Sequence, residues 1–410
     1  MSKKDSAARA AAISFRQLRL FAAIGDLKSV RRASEECSLS QPAVTQALAK
    51  LEEQIGSVLV DRRASGSYLN ELGDLFHARI RRFFEQAEQA IMEAGAADTK
   101  VAARAIMNRF TRSQIRTVVG AIEHGSFDRA SESVGISSAS LQRAARDLES
   151  NLGVPLFYRT AAGVLVSPLG SQFGRHMKLA LQEIEWGIEE LEAAQGGATR
   201  QMVIGAMPFG GSVLLASVLD DFLRLHPRAD IRIMNESATE MAKCLRAGDV
   251  DFVIGLLPEL ESGEVVREPL ARTPYSVVAR RGHPLTRLGK VSIEDLRAYD
   301  WVTGTDGSSR RACFERIFAD GAAPQTSLAT CALPVIRHLL KRSDRLTLMT
   351  SYELEHEDSL RAVLYDPITP VPSLGITMRA SWLPTRMHQD FIDLIRAHVS
   401  APRPHLRDVG

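Results

Sequence analysis

The chain has 410 residues, 45% of them hydrophobic and 24% charged, with a formal net charge of +2 at pH 7. That length allows two or three domains with sizeable cores, and the composition is that of a folded globular protein, which excludes a disordered or fibrous chain. A total so near neutral hides an asymmetry: residues 1 to 116 hold 19 Lys and Arg against 13 Asp and Glu, a balance of +6, whereas residues 117 to 197 hold 6 against 10, a balance of −4, so the first block carries the better electrostatic footprint for DNA.

Residues 1 to 14 read as an Ala-rich lead. Over residues 1 to 17 Arg9 and Arg16 interrupt the only apolar run, and no later segment approaches membrane-spanning length, so export and membrane insertion are not expected. Cys37, Cys244, Cys313 and Cys331 are far apart and form no C-x-x-C pair. They read as reduced thiols of a cytoplasmic protein, with neither a zinc ribbon nor a disulfide framework.

The run SVRRASEECS predicts a short helix, with small Ala33 where two helices can cross closely. After a short turn, Ser40 can cap a second helix in which Val44, Ala47, Leu48, Leu51 and Ile55 recur at three- and four-residue steps. Gln41, Thr45, Gln46 and Lys50 fall on the other side of that helix. Short extended segments over 58–62 and 68–70, around Ala-Ser-Gly, complete a winged helix-turn-helix pattern. Amide side chains suit base edges in a major groove, and arginines beside them suit phosphates. Gln41, Thr45 and Gln46 are therefore candidate base-side residues, and Arg32, Ser40, Pro42, Lys50, Arg62 and Arg63 complete the candidate DNA-binding set. The pattern by itself fits equally well a small helical core with a polar surface.

Residues 18 to 73 resemble the DNA-binding domain of LysR-type transcriptional regulators. The resemblance is carried by Leu18, Arg19, Phe21, Ser29, Arg32, Ala33, the run Ser40-Gln41-Pro42-Ala43-Val44, Leu51-Glu52, Gly56, Leu59, Arg62, Gly66 and Gly73. Val60 departs from the family's usual Phe, and Asn70 from its usual Thr before the long helix. From Leu72 onward Phe76, Ile80, Phe83, Ala87 and Ile91 recur at helical steps and form an apolar seam. The resemblance implies that this helix pairs two protomers, while packing onto its own domain is the alternative.

The pattern then repeats at an offset of 97 residues without a gap, pairing Arg19 with Arg116, Arg32 with Arg129, Ser40 with Ser137, Arg62 with Arg159 and Gly73 with Gly170. The offset continues through the long helix, from Phe76 with Phe173 to Ile91 with Ile188. In the second copy Gln-Pro is replaced by Ser138-Ala139. Its outward residues Ser138, Gln142, Arg143 and Arg146, with Arg129 and Arg159, can still meet a phosphate or a guanine. A scaffolding or dimerisation role for this copy is the alternative.

Beyond the small-residue hinge at 195–199 the texture changes to alternating strands and helices. Strands are expected over 202–207, 231–234, 275–280 and 346–350, and helices over 214–225, 241–247, 312–318, 334–341 and 385–398. The βαβαβ order at the start of this region implies a parallel sheet. LRAGDVDFVIG, RGHPL, SIEDL and YDWV resemble the two-lobed, periplasmic-binding-protein-like effector domain of LysR regulators. In such domains a ligand lies at strand carboxyl ends and helix amino ends. Ser212, Ser237, Thr239, Thr305, Ser308, Arg311 and Thr330 are the candidate effector-binding residues, suited to a small carboxylate or a sugar acid, although each also reads as an ordinary helix-cap residue. Arg310 is expected to turn to solvent or to exchange roles with Arg311.

The fold class expected is thus multidomain, with two tandem winged helix-turn-helix domains, each with a long linker helix, over 1–97 and 98–197, followed by an α/β two-lobed domain over 198–410. No G-x-S-x-G, H-E-x-x-H, Walker or G-x-G-x-x-G motif is found, so an enzyme is not expected, nor a catalytic residue, cofactor or metal. The resemblance implies a ligand-responsive transcriptional regulator in the cytoplasm. Its partners would be double-stranded DNA, a small-molecule effector, further copies of itself as a homodimer or homotetramer, and RNA polymerase. The other reading is a small-molecule-binding sensory protein whose helical repeats are an interaction module.

Overall fold

A computed structural model describes residues 9–63, 66–134, 136–160, 163–197, 201–206, 212–257, 263–354, 357–380 and 382–400. The chain divides into two units, residues 1–200 and 201–410. In the first, Ser14 and Gln17 cap each other reciprocally to start α1 (Phe15–Leu27). α2 (Val30–Glu36) follows, capped by Ser29, and then α3 (Gln41–Ile55). On α3 the apolar residues Val44, Leu48, Leu51 and Ile55 are buried, and Gly56 ends the helix in a left-handed conformation (φ 78°) that an L side chain rarely adopts. A short hairpin, β1 (Val60–Arg63) and β2 (Gly66–Leu69), leads into α4 (Glu71–Glu93). Asn70 caps that helix through the Gly73 amide and also donates to the Val58 carbonyl, so the departure from the family's residue leaves a working cap.

After α5 (Lys100–Met107), for which the sequence offered no expectation, the same order returns. It comprises α6 (Arg112–His124), α7 (Phe127–Val134), α8 (Ser138–Leu152), the hairpin β3 (Phe157–Thr160) with β4 (Gly163–Val166), and α9 (Pro168–Ala194). The repeat extends to single interactions. Thr111 and Gln114 form the same reciprocal cap as Ser14 and Gln17. Glu52 accepts from the amides of Leu59 and Val60, and Glu149 from those of Leu156 and Phe157. A Cβ at Gly73 would lie 2.1 Å from the Leu59 carbonyl oxygen and one at Gly170 2.2 Å from that of Leu156. Glycine is thus required where each wing meets its long helix.

The two copies share one hydrophobic core that runs from Ala10 to Leu191. The seam of α4 faces inward: Phe76 packs on Phe21 and Phe83 on Phe15, with ring centroids 5.4 and 4.9 Å apart. α9 lies along α4, and Gly187 permits their close approach, since a Cβ there would come within 2.8 Å of the Phe76 ring. Arg79 crosses this contact. It is 1% exposed, donates to both carboxylate oxygens of Glu190 at 2.8 and 2.9 Å, donates to Glu183 at 2.9 Å, and lies over the Trp186 ring. Burial opposes the charge, but the two carboxylates outweigh it and hold the Arg79 pKa above its ordinary value.

The second unit has two lobes. In one, β5 (Gln201–Ala206) lies parallel to both β6 (Asp230–Met234) and β7 (Phe252–Leu256), with α10 (Ser212–Leu225) and α11 (Ala238–Ala247) as crossovers. β14 (Ser373–Arg379) then pairs antiparallel with β7 and with β8 (Val265–Arg272), giving the order β6-β5-β7-β14-β8. The expected parallel sheet is therefore mixed. Its far side is built by a strand that returns from the other lobe, and an antiparallel neighbour needs no crossover helix to announce it in the sequence. α16 (Arg386–Ser400) covers this sheet, with Phe391 packed edge-on against Phe222 of α10.

The other lobe holds the antiparallel set β12 (Thr347–Thr350), β9 (Tyr275–Arg280) and β13 (Leu360–Ala362). Beside it, β10 (Trp301–Thr303) and β11 (Thr326–Ala329) pair parallel. α12 (Ile293–Arg297), α13 (Ser309–Ile317), α14 (Leu333–Lys341) and α15 (Ser351–Leu354) complete the lobe.

Removing one partner of a buried ion pair leaves the other uncompensated, at a cost of about 3 to 5 kcal/mol. Arg79→Ala is therefore expected to destabilise residues 1–200 by about that amount, measured as the fall in the urea midpoint of the full chain followed by circular dichroism. An unchanged midpoint would show that Glu183 and Glu190 find equivalent partners.

Candidate nucleic-acid interface and effector site

On α3 the amphipathic pattern sets an exposed polar face opposite the core. Ser40, Gln41, Pro42, Gln46 and Lys50 are exposed and Thr45 is half-buried, while the opposite side is core. Ser40 occupies the cap position by its backbone, but its side chain makes no capping hydrogen bond. The polar face thus presents two carboxamides, hydroxyls and an ammonium from one rigid helix, and Arg32 is exposed on neighbouring α2. Carboxamides offer paired donors and acceptors to base edges, and the cations suit phosphate oxygens. Arg62 and Arg63 lie on β1 and Arg159 on β3, at the hairpins; their side chains fall outside the described residues.

In the second copy, α8 exposes Arg143 and Arg146, with Ser138 and Gln142 half-buried beside them, and Arg129 is exposed on α7. Ser137 donates its hydroxyl hydrogen bond to Ser140 and accepts from the Ser140 amide, so this cap is closed where that of Ser40 is open.

In the second unit, the parallel strands β10 and β11 bring several effector candidates together at their carboxyl ends. Ser308 caps α13, accepting from the Arg311 amide at 3.2 Å and donating to the Thr305 carbonyl at 2.6 Å. The Thr330 amide donates to the Thr303 carbonyl, and the Thr330 hydroxyl accepts from Ala332 at the start of α14. Cys331, which was not among the candidates, lies 3.3 Å from the Thr305 hydroxyl. Burial raises its thiol pKa, but hydrogen bonds from Thr305 and the Arg310 charge bring the net value below the ordinary one.

Arg310 departs from one of its two expected placements. Arg310 does not turn to solvent: it is 5% exposed and forms a close ion pair with buried Glu353, while its Nε and Nη1 have no hydrogen-bond partner among the described residues. Arg311 is partly exposed, with Nε 2.6 Å from Glu315, Nη1 3.4 Å from the Thr303 hydroxyl, and its guanidinium over the Phe314 ring. The helical period explains the burial of Arg310, which shares a face with buried Cys313 and Phe314. α13 begins at Ser309, earlier than its apolar residues suggest, and this rotates position 310 toward the core. Tyr275, its hydroxyl 2.9 Å from that of Ser309, lines the same region, and burial pushes its pKa up. Neither Tyr275 nor Glu353 carried a signal in the sequence beyond residue type.

The remaining candidates stand elsewhere. Ser237 caps α11 through the Glu240 amide, and Thr239 is exposed on that helix in the other lobe. Ser212 begins α10, but its side chain lies outside the described residues, as do Phe209, Gly210 and Gly211. No helix among the described residues is long and apolar enough to cross a membrane.

Known protein families and individual proteins are similar to the chain over most of its length. The bacterial regulatory helix-turn-helix family of LysR type matches twice, over residues 15–74 and 113–171, and the LysR substrate-binding domain family matches residues 195–400. The HTH-type transcriptional regulator GalR of Pseudomonas putida is 30% identical over 345 residues, covering 83% of this chain and 85% of that protein. The HTH-type transcriptional regulator GbpR of Azospirillum brasilense is 30% identical over 231 residues, 56% of this chain and 68% of that protein. A full-length OxyR variant of Pseudomonas aeruginosa, a solved structure, is 20% identical and covers 70% of this chain and 98% of that one, with a TM-score of 0.42.

A carboxamide that reads a base and a cation that meets a phosphate fail differently when removed. Gln41→Ala is expected to relax preference at one base pair by about 1 to 3 kcal/mol, and Lys50→Ala to weaken binding uniformly while lowering the salt slope by about one. Titration of single-base operator variants by fluorescence anisotropy distinguishes the two, and a Gln41→Ala loss equal on every sequence would remove Gln41 from base readout.

Proposed function

The chain belongs to the LysR family of bacterial transcriptional regulators, and from that premise we propose how its residues divide the work. It is a DNA-binding regulator with an effector-binding domain. The first copy reads base edges with Gln41, Thr45 and Gln46 and is held on the backbone by Arg32, Lys50, Arg62 and Arg63. The observation that carries this reading is the exposed face of α3 with Gln41, Gln46 and Lys50, opposite buried Val44, Leu48, Leu51 and Ile55. The second copy adds Ser138, Gln142, Arg143 and Arg146, with Arg129 and Arg159 toward phosphates. The working boundaries are 1–97, 98–197 and 198–410.

In the second unit the effector is a small carboxylate or sugar acid. It is held by the Thr305 and Ser308 hydroxyls, the amino end of α13, Arg311 and Thr330, with Ser212, Ser237 and Thr239 closing from the other lobe. A charge-assisted contact at a helix amino end suits a carboxylate, because backbone amides and a guanidinium both favour negative charge. Buried Arg310, neutralised by Glu353, orients the base of the site. The regulator acts in the cytoplasm as a homodimer or homotetramer and meets RNA polymerase while bound to DNA.

Footprinting on DNA flanking the protein's own gene, with and without a panel of small carboxylates and sugar acids, tests the whole reading. Arg311→Ala is expected to raise the effector concentration for half-response at least about tenfold while leaving effector-free DNA binding unchanged. A variant that responds at the wild-type concentration would remove Arg311 from the site.

A further inference from the structure

The repeat offset of 97 residues makes the contact between the long helices readable as a symmetry relation. Gln86 and Glu183 occupy equivalent positions of the two copies, and they touch, with Gln86 Nε2 donating to Glu183 Oε1 at 3.1 Å. A residue that meets its own equivalent lies on a twofold axis. Seven residues to one side, Arg79 pairs with Glu190; seven to the other, Glu93 pairs with His176 at 2.9 Å. Arg79 and His176 are equivalent, as are Glu93 and Glu190. The same pair of positions is therefore joined twice, once in each direction across the axis, by Arg79 with Glu190 and by His176 with Glu93, which is the signature of an isologous contact. Here both of its sides belong to one chain.

The relation reaches the reading faces. Each winged helix is fixed to its own long helix by the same glycine against the same carbonyl and by a side-chain cap at the same position. The axis that relates α4 to α9 thus relates α3 to α8. Those faces are not the same. Gln41, Pro42, Thr45, Gln46 and Lys50 in the first correspond to Ser138, Ala139, Gln142, Arg143 and Asp147 in the second. A carboxamide-rich face suits adenine, and an arginine suits guanine. Asp147 stands where the first face has Lys50, but Arg143 and Arg146 stand where it has Gln46 and Ala49, so the second face keeps its attraction to phosphate with the cations moved.

We infer that a single chain carries both reading heads for one DNA site, and that this site consists of two unlike half-sites in inverted orientation and fixed order. The inference rests on the DNA-binding reading above and adds the form of the partner. Because α9 already covers the pairing face of α4, any homodimer or homotetramer is joined through other surfaces, and each added chain brings another complete pair of heads.

Selection of duplexes from a random pool by the full-length chain, repeated with Gln41→Ala and Arg143→Ala, tests it. The expected result is one bipartite motif with dissimilar halves, in which each substitution lowers preference about tenfold in a different half. A palindrome whose halves both respond to Gln41→Ala would overturn the inference while leaving sequence-specific DNA binding in place; so would a motif with one half. Failure to enrich any motif would overturn both. Independently, Glu93→Cys with His176→Cys, oxidised and run without reductant beside the single variants, is expected to cross-link within one chain. A covalent dimer specific to the double variant would show that the two helices come from different chains and would overturn the inference.

Discussion

A buried guanidinium shared by two carboxylates holds the first unit together. Arg79 of α4 is removed from water at the point where α9 crosses, and its charge is acceptable there only because Glu190 and Glu183 both reach it. The pair specifies more than it stabilises. An apolar residue at 79 could fill the space, but it would not select the register in which Gly187 meets Phe76 and Glu183 meets Arg82 and Gln86. That register places the two winged helices relative to each other, so the spacing of the reading faces depends on it.

Duplication followed by drift explains why the copies are alike in scaffold and unlike at their surfaces. Interactions that close the backbone are retained, such as the reciprocal caps at Ser14 and Thr111 and the carboxylates of Glu52 and Glu149 on the strand amides. Packing and polar surface have diverged. Phe15 and Phe83 pack together in the first copy, and the equivalent positions hold Arg112 and Ala180. Burial depresses the Arg112 pKa to about 10, so the second copy has exchanged an aromatic contact for a desolvated cation. Once both heads sit on one chain, neither constrains the residues of the other.

In the second unit the same logic operates on a smaller scale. Arg310 and Glu353 neutralise each other inside the lobe, and Glu353 also receives the Thr350 amide, which ties α13 to the end of β12. The Ser308 and Thr330 hydroxyls are engaged in closing a turn and two helix starts, and the Thr305 hydroxyl meets Cys331 Sγ.

Local pattern was enough for much of this. The apolar spacing of Val44, Leu48, Leu51 and Ile55 specified both the extent of α3 and its exposed face, because helical geometry converts spacing directly into orientation. The ungapped repeat carried the second copy, and the LysR resemblance carried the function. What the sequence could not decide depends on contacts between distant segments. That α4 pairs with α9 of its own chain follows from Arg79 meeting Glu183 and Glu190 more than 100 positions away, and an apolar seam does not say whose seam it faces. The antiparallel return of β14 and the burial of Arg310 instead of Arg311 were hidden for the same reason. Adjacent residues of one type are distinguished only by the turn of the helix against a neighbour, and the neighbour is supplied by the fold.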